Sequence, residues 1–478
     1  MPLANRGPLV SPVWTLALPA LSLAAMVASP PERRLWVAPC AALVFSIMQW
    51  LLPRCRLRRD HYLGPVNIAL FLLLIQLFIL PSLIMLTGPE SPMLANLPSY
   101  SSITNAILLQ MAAYVALCVG LAHGPRAGER AAMAPAALAG PGPGPALVLL
   151  YFLLGLAGFV AVFGTPGRMI EYLLSAEEIS TEPDSSLAGA AGTFLRPFLA
   201  FALVAAWSRW AARASLTVRC LTLFALALCV TIANMTYSFN RAAFVFPLIS
   251  LLAVFSATVR RIPFAATALV MLAAFPLLIG VGMFRSSRMI GGQPVATDFT
   301  TWLEQTSTSV QAYAGGPQFT ALFCERLGWG ESLYDGSTLI ASVMSPVPIL
   351  GKGFREGNGP ALYNQAIYDV RYIQDQILPF SVELFANFHL PGTIIGFLLL
   401  GFAVATLQEW FATAESPFAA FCIQYAGLWT AMLGAWSLSI YAQIAIYFFG
   451  PIYLFAAVTT LPVWRRVWVN TWLRRAAA

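Results

Sequence analysis

The chain has 478 residues, 59% of them hydrophobic and only 10% charged, and its mean hydropathy is +0.74. A soluble domain carries about 25% charged residues, so this composition excludes an ordinary water-soluble globule and calls for a lipid solvent. The net charge of +7 comes without a basic stripe interleaved with exposed aromatics, so it does not mark a nucleic-acid binder.

A hydrocarbon core about 30 Å thick needs roughly 20 apolar residues per helix. Runs of that kind, separated by charges and Pro/Gly breaks, predict helices over 9–29, 35–53, 66–88, 103–123, 146–164, 194–212, 217–236, 242–258 and 263–284. Three more follow over 381–408, 418–434 and 441–461. The expected fold is an all-α polytopic membrane protein with about twelve transmembrane helices. Residues 1–284 and 381–478 hold the helices, and 285–380 form a large external loop. The first run is preceded by Arg6 alone and lacks a clean small-x-small cleavage site, so it reads as a retained helix.

Orientation follows from the arginines, which concentrate in cytoplasmic loops. With the N-terminus inside, the inner segments hold Arg54, Arg56, Arg58 and Arg59, then Arg126, Arg130, Arg209, Arg213, Arg219, Arg260 and Arg261. Arg465, Arg466, Arg474 and Arg475 join them at the C-terminal end. The acids of those segments are Asp60, Glu129, Glu409 and Glu415. Arg33 and Arg34, outside, are the exceptions. Both termini of this multi-pass chain are therefore expected in the cytoplasm.

Two outer loops stand out, one over about 165–193 and one of about 95 residues from Arg285 to Pro379. The longer carries Trp302, Tyr313, Phe319, Trp329, Tyr334, Tyr363, Tyr368 and Tyr372, too aromatic for disorder. It is expected to fold as a mostly helical cap over the bundle. Ala131–Pro145, inside, reads as a flexible linker. The absence of an internal repeat weighs against an inverted-repeat transporter. The seven cysteines form no disulfide framework or CxxC site, and His61, His123 and His389 are scattered, so no metal or cofactor is expected.

Candidate chemistry lies at the outer face. Arg241 closes the tight turn Tyr237–Ser238–Phe239–Asn240–Arg241, where its guanidinium either snorkels to the interface or binds a phosphate group. Arg285 and Arg288, three residues apart, share a helical face and can clamp one anion. Lys352, Arg355 and Arg371 add cations, the first two on the Pro/Gly-rich run Ser345–Arg355, whose spacing forbids a regular helix. Solvated surface charge is the alternative for each. Glu383 and Asn387, four apart, share one face at the start of the next helix. Glu383 there is either a general base or an acid favoured by the helix dipole. Asp369 and Asp375 are weaker candidates for the same task.

With these residues in hand, the chain resembles the O-antigen polymerase (Wzy-type) family. The matching features are Asn240–Arg241, the Arg285 opening of a large outer loop, and Pro346–Val347–Pro348 followed by Lys352. Nearest is Glu383–Leu384–Phe385–Ala386–Asn387–Phe388 leading into Gly392 and a hydrophobic helix. The resemblance implies a membrane glycosyltransferase that polymerises polyprenyl-diphosphate-linked oligosaccharide units into a surface polysaccharide on the outer face of the inner membrane. It implies Glu383 and Arg285 as catalytic residues, with Arg241, Arg288, Lys352, Arg355, Arg371 and Asn387 as substrate ligands. A chain-length regulator is a partner of such enzymes, and membrane lipid is the other. An O-antigen ligase, a related transferase, calls for a histidine in the large loop, and residues 285–380 contain none. A lipid-linked oligosaccharide flippase or other transporter is the reading from a different class.

Overall fold

The computed structural model describes residues 15–52, 63–89, 97–125, 142–165, 194–211, 241–258, 315–329, 333–368 and 378–460, with a few isolated positions between. Among these the chain is all-helical. The order begins α1 Ala17–Ala28, α2 Val37–Leu51, α3 Pro65–Leu74, a π-turn Ile75–Ile79, and α4 Leu80–Thr87. It continues α5 Tyr100–His123, α6 Pro145–Phe163, α7 Pro197–Ala211 and α8 Arg241–Thr258. A group of short helices follows, termed the cap below: α9 Pro317–Arg326, α10 Ser337–Met344, a 3-10 turn Leu350–Phe354, and α11 Gly359–Tyr368. Last come α12 Phe380–Ala412, α13 Pro417–Met432, α14 Leu438–Tyr447 and α15 Gly450–Thr460. The expected helices over 217–236 and 263–284 lie outside the described residues or touch only isolated ones.

Among the described residues, three helical runs are long and apolar enough to cross a membrane: Pro65–Thr87, Tyr100–His123 and Phe380–Ala412. The pair α14 and α15, bent by 59°, makes a fourth if counted as one broken span. α1, α2, most of α6 and part of α8 are apolar but shorter. Where the sequence reads one run over 441–461, the structure breaks it ahead of Gly450–Pro451, where proline cannot donate into a continuing ladder.

The helices approach closely where glycine removes a side chain. α5 crosses α12 at Gly120, where a Cβ would lie 2.1 Å from the Leu398 carbonyl oxygen, and at Gly401, where it would lie 2.2 Å from that of Leu117. Only backbone-to-backbone contact fits there, the means by which helices associate in lipid. α6 meets α7 in the same way at Gly155 and Gly158. One core joins α2, α3, α4, α5 and α12 through residues such as Phe45, Leu70, Tyr114 and Phe397. A second joins α6, α7, α8 and α13 around an aromatic cluster in which Phe246 and Trp429 meet edge to face with centroids 4.4 Å apart.

The cap has its own small core of Phe319, Leu322, Phe323, Tyr363, Leu378 and Val382. It thus packs α9 and α11 against the first turns of α12. Glu325 at the end of α9 ties the cap to α5, accepting from the Ser99 amide at 3.0 Å and the Ser99 hydroxyl at 2.6 Å. Sequence reading expects one helix over 381–408, but α12 is interrupted at Phe388 (φ −140°, ψ 17°) and His389 (φ 54°, ψ −154°). Pro391 explains the break: it lacks an N–H for the Asn387 carbonyl, and its ring crowds the turn before it. The first two turns of α12 thereby belong to the cap, and the remainder is the long apolar run.

Candidate active site

The first turns of α12 carry Glu383, fully buried at 0% exposure. Its Oε1 accepts from the Ser342 hydroxyl of α10 at 2.5 Å. The Ser342 oxygen in turn accepts from the Gly359 amide at the start of α11, at 3.1 Å. The Leu438 amide, opening α14, donates to Oε2 at 3.4 Å. Three elements therefore converge on one carboxyl, each at a helix end or through a small residue. The fit at α11 is tight, since a Cβ on Gly359 would stand 2.6 Å from Glu383 Oε1. A buried carboxyl is costly unless its oxygens find donors, and here the Ser342 hydroxyl and the Leu438 amide supply them.

Asn387 sits one turn on, also at 0% exposure. Its Nδ2 donates to the Glu383 carbonyl at 2.7 Å and to Thr338 Oγ1 at 2.6 Å, while its Oδ1 accepts from the Gly336 amide at 2.9 Å. Gly336 caps α10 with φ +85°, a conformation glycine adopts without steric cost. The expectation that Asn387 shares a face with Glu383 is met. Its polar atoms, however, are engaged by protein partners, so its geometry is that of a tie between α10 and α12.

The cations of the sequence reading divide. Lys352 is exposed and Arg355 half-buried, both on the segment that joins α10 to α11. Arg355 is near enough to Tyr447 of α14 for its charge to act on the phenol. Arg241 is the first residue of α8, and its side chain lies outside the described residues. Arg285, Arg288, Arg371, Asp369 and Asp375 also lie outside them. Three neighbours of Glu383 were not singled out from sequence, Ser342 and Leu438, which donate to it, and Gly359, which packs against it; none carries a local signal, because their role comes from contacts between distant segments. Arg196 was missed as well: it is 1% exposed at the entry to α7, and a lone arginine ahead of Pro197 and an apolar run was the available clue.

An apolar groove of about 660 Å³ runs along α12, lined by Phe380, Leu384, Phe388, Ile395 and Leu399 and closed on one side by Leu433 and Tyr441. It begins beside Glu383 in sequence and continues past the helix break along the long apolar run. Among the described residues no three His, Cys, Asp or Glu side chains converge as a metal site. The lone cap cysteine, Cys324, is inert as a nucleophile, since burial pushes its thiol up to about 12. In comparisons with protein-family models, curated proteins and solved structures, nothing matches the chain.

Proposed function

We propose that this chain is a polysaccharide polymerase of a bacterial inner membrane, of the O-antigen polymerase type, acting on polyprenyl-diphosphate-linked oligosaccharide units at the outer membrane face. The observation that carries the reading is the buried Glu383–Ser342–Gly359 network, built on the same helix whose Phe380, Leu384 and Phe388 line an apolar groove. A lipid-linked glycan has an apolar tail and a polar head, and the groove and the cap offer complementary places for them. The finer topology of about twelve helices, with both termini cytoplasmic and 285–380 external, belongs to this proposal.

In the proposed reaction Glu383 accepts the proton of an acceptor sugar hydroxyl, which takes the place of the Ser342 hydroxyl as donor. The acceptor oxygen bonds to the anomeric carbon of the growing glycan as that carbon's bond to the diphosphate oxygen breaks. The diphosphate leaves with the electron pair. Arg241, Arg285, Arg288, Lys352, Arg355 and Arg371 are the cations assigned to that charge, and guanidinium offers phosphate a planar two-donor fork. Asn387 positions Glu383 by holding α10 in place.

The test is Glu383→Gln, which keeps the size and most of the hydrogen bonding while removing the basic oxygen. Loss of a positioned base costs roughly 10²–10⁴-fold in rate. The expected result is inserted, stable protein, no long polymer, and single repeat units still delivered to the cell surface. Full-length polymer from the variant removes Glu383 from catalysis. Loss of single units as well favours a ligase or a flippase.

A further inference from the structure

We infer that the segment Ser345–Arg355 is a membrane wedge, whose tip residues Ile349 and Leu350 insert into the lipid leaflet on the cap side. The inference rests on the reading that α12 and the α14–α15 pair cross a bilayer. Its starting point is where the segment runs. Ser345 Oγ lies 3.3 Å from Ser439 Oγ in the first turn of α14, and Arg355 acts on Tyr447 in its last turn. α14 rises about 12 Å between those two residues. The segment therefore leaves from the first turn of a candidate span, and α11 returns the chain to Glu383.

The second observation is what this excursion exposes. Ile349 is 83% and Leu350 62% exposed, and Ile340 and Val343 present the outward face of α10 above them. In water such a patch would be a liability; beside a span it is continuous with the apolar exterior of α12, where Ile395 and Leu399 are likewise exposed. The head of α10 itself reaches α12, where Gly336 lies against the Phe388 ring at the helix break.

The backbone is built to hold the tip outward. Ile349 has φ +69°, a conformation costly for a β-branched residue and sustained only where the surroundings over-determine it. The turn closes through the Leu350 amide to the Pro348 carbonyl and the Gly351 amide to the Val347 carbonyl, each at 2.8 Å. Gly351 packs so closely on Ser345 that a Cβ would lie 2.1 Å from its carbonyl oxygen. Lys352, exposed immediately after the tip, has the long stem by which a lysine reaches from apolar surroundings to headgroup phosphates. Apolar tip, adjoining cation and strained presentation fit lipid as the occupant.

The experiment uses the full-length protein in phospholipid nanodiscs, carrying Ile349→Cys or Leu350→Cys labelled with an environment-sensitive fluorophore. The unsubstituted protein, labelled identically, supplies the background from native cysteines. Leu399→Cys on α12 marks the bilayer interior. The expected result is loss of label fluorescence on replacing the lipids by ones brominated in the acyl chains, for Leu399 and for both tip positions, with little loss to aqueous iodide. Quenching of Leu399 by bromolipid with quenching of the tip by iodide, or with shielding of the tip from both, overturns the wedge while leaving the span intact. Failure of Leu399 itself to respond to bromolipid overturns the span and the wedge with it.

Discussion

Asn387 and Glu383 are joined twice over: they share one face of α12, and the Asn387 amide donates to the Glu383 carbonyl at 2.7 Å. The same amide donates to Thr338, and its oxygen holds the Gly336 amide. Asn387 thereby fixes the start of α10, and Ser342 of α10 fixes the carboxyl of Glu383.

Asn387→Leu should therefore strip a buried tie, leaving the Gly336 amide and Thr338 hydroxyl without their partner. Each buried group so orphaned costs about 1–3 kcal/mol. The expected outcome is a clear fall in Tm of the detergent-purified protein, together with loss of polymer. Equal stability for Asn387→Leu and the parent would contradict the tie.

Gly359→Ala tests the opposite side of the carboxyl. The added methyl would stand 2.6 Å from Glu383 Oε1 and 2.8 Å from a Leu378 methyl, so α11 must retreat or Glu383 must rotate. Overpacking of this kind costs about 1–3 kcal/mol. Polymer synthesis should drop sharply while the protein still inserts and purifies as a single species. Unchanged polymer yield would show that the Glu383 geometry is irrelevant to activity.

The tie between cap and α5 is pH-dependent. Burial raises the Glu325 carboxyl, but the hydrogen bonds from Ser102 and Ser99 outweigh it and hold the group below the usual carboxylate range. A depressed folded pKa means that the bond's stabilisation is present above the unfolded pKa and is lost as pH falls through the folded value. Hydrogen exchange in α9 and the first turn of α5 should accelerate on acidification through that range. Glu325→Gln should show faster exchange at neutral pH and a flatter pH profile. Identical profiles for variant and parent would remove Glu325 as the titrating link.

Sequence reading placed the apolar helices well because hydropathy is a local property. The runs 66–88, 103–123 and 146–164 reappear as Pro65–Thr87, Tyr100–His123 and Pro145–Phe163 within a few residues. The π-turn around the buried Gln76 inside the first of these left no trace in composition. The breaks were legible in principle, as Pro391 and Gly450–Pro451 stand at them, but uninterrupted apolar composition concealed their effect. Glu383 and Asn387 were found because their spacing of four lies within one helix. Ser342 and Gly359 were not, since only folding brings residues 41 and 24 positions away onto the same carboxyl. The irregular course of 345–355 was legible from Pro346, Pro348, Gly351 and Gly353, whereas its contact with the first turn of α14 depends on tertiary packing.

The break at Phe388–His389 has a consequence for how such a protein can vary. In an unbroken helix every residue added or removed rotates the N-terminal part by about 100° relative to the C-terminal part. Glu383 would then be locked in azimuth to the groove residues Ile395 and Leu399, and a single insertion would swing it away. With a non-helical joint between them, the phase of the cap-bound turns is set by Asn387 and α10, and the phase of the long run by its glycine crossing with α5. The two halves of α12 are thus free to drift in length independently, and the joint is where a one-residue change is absorbed.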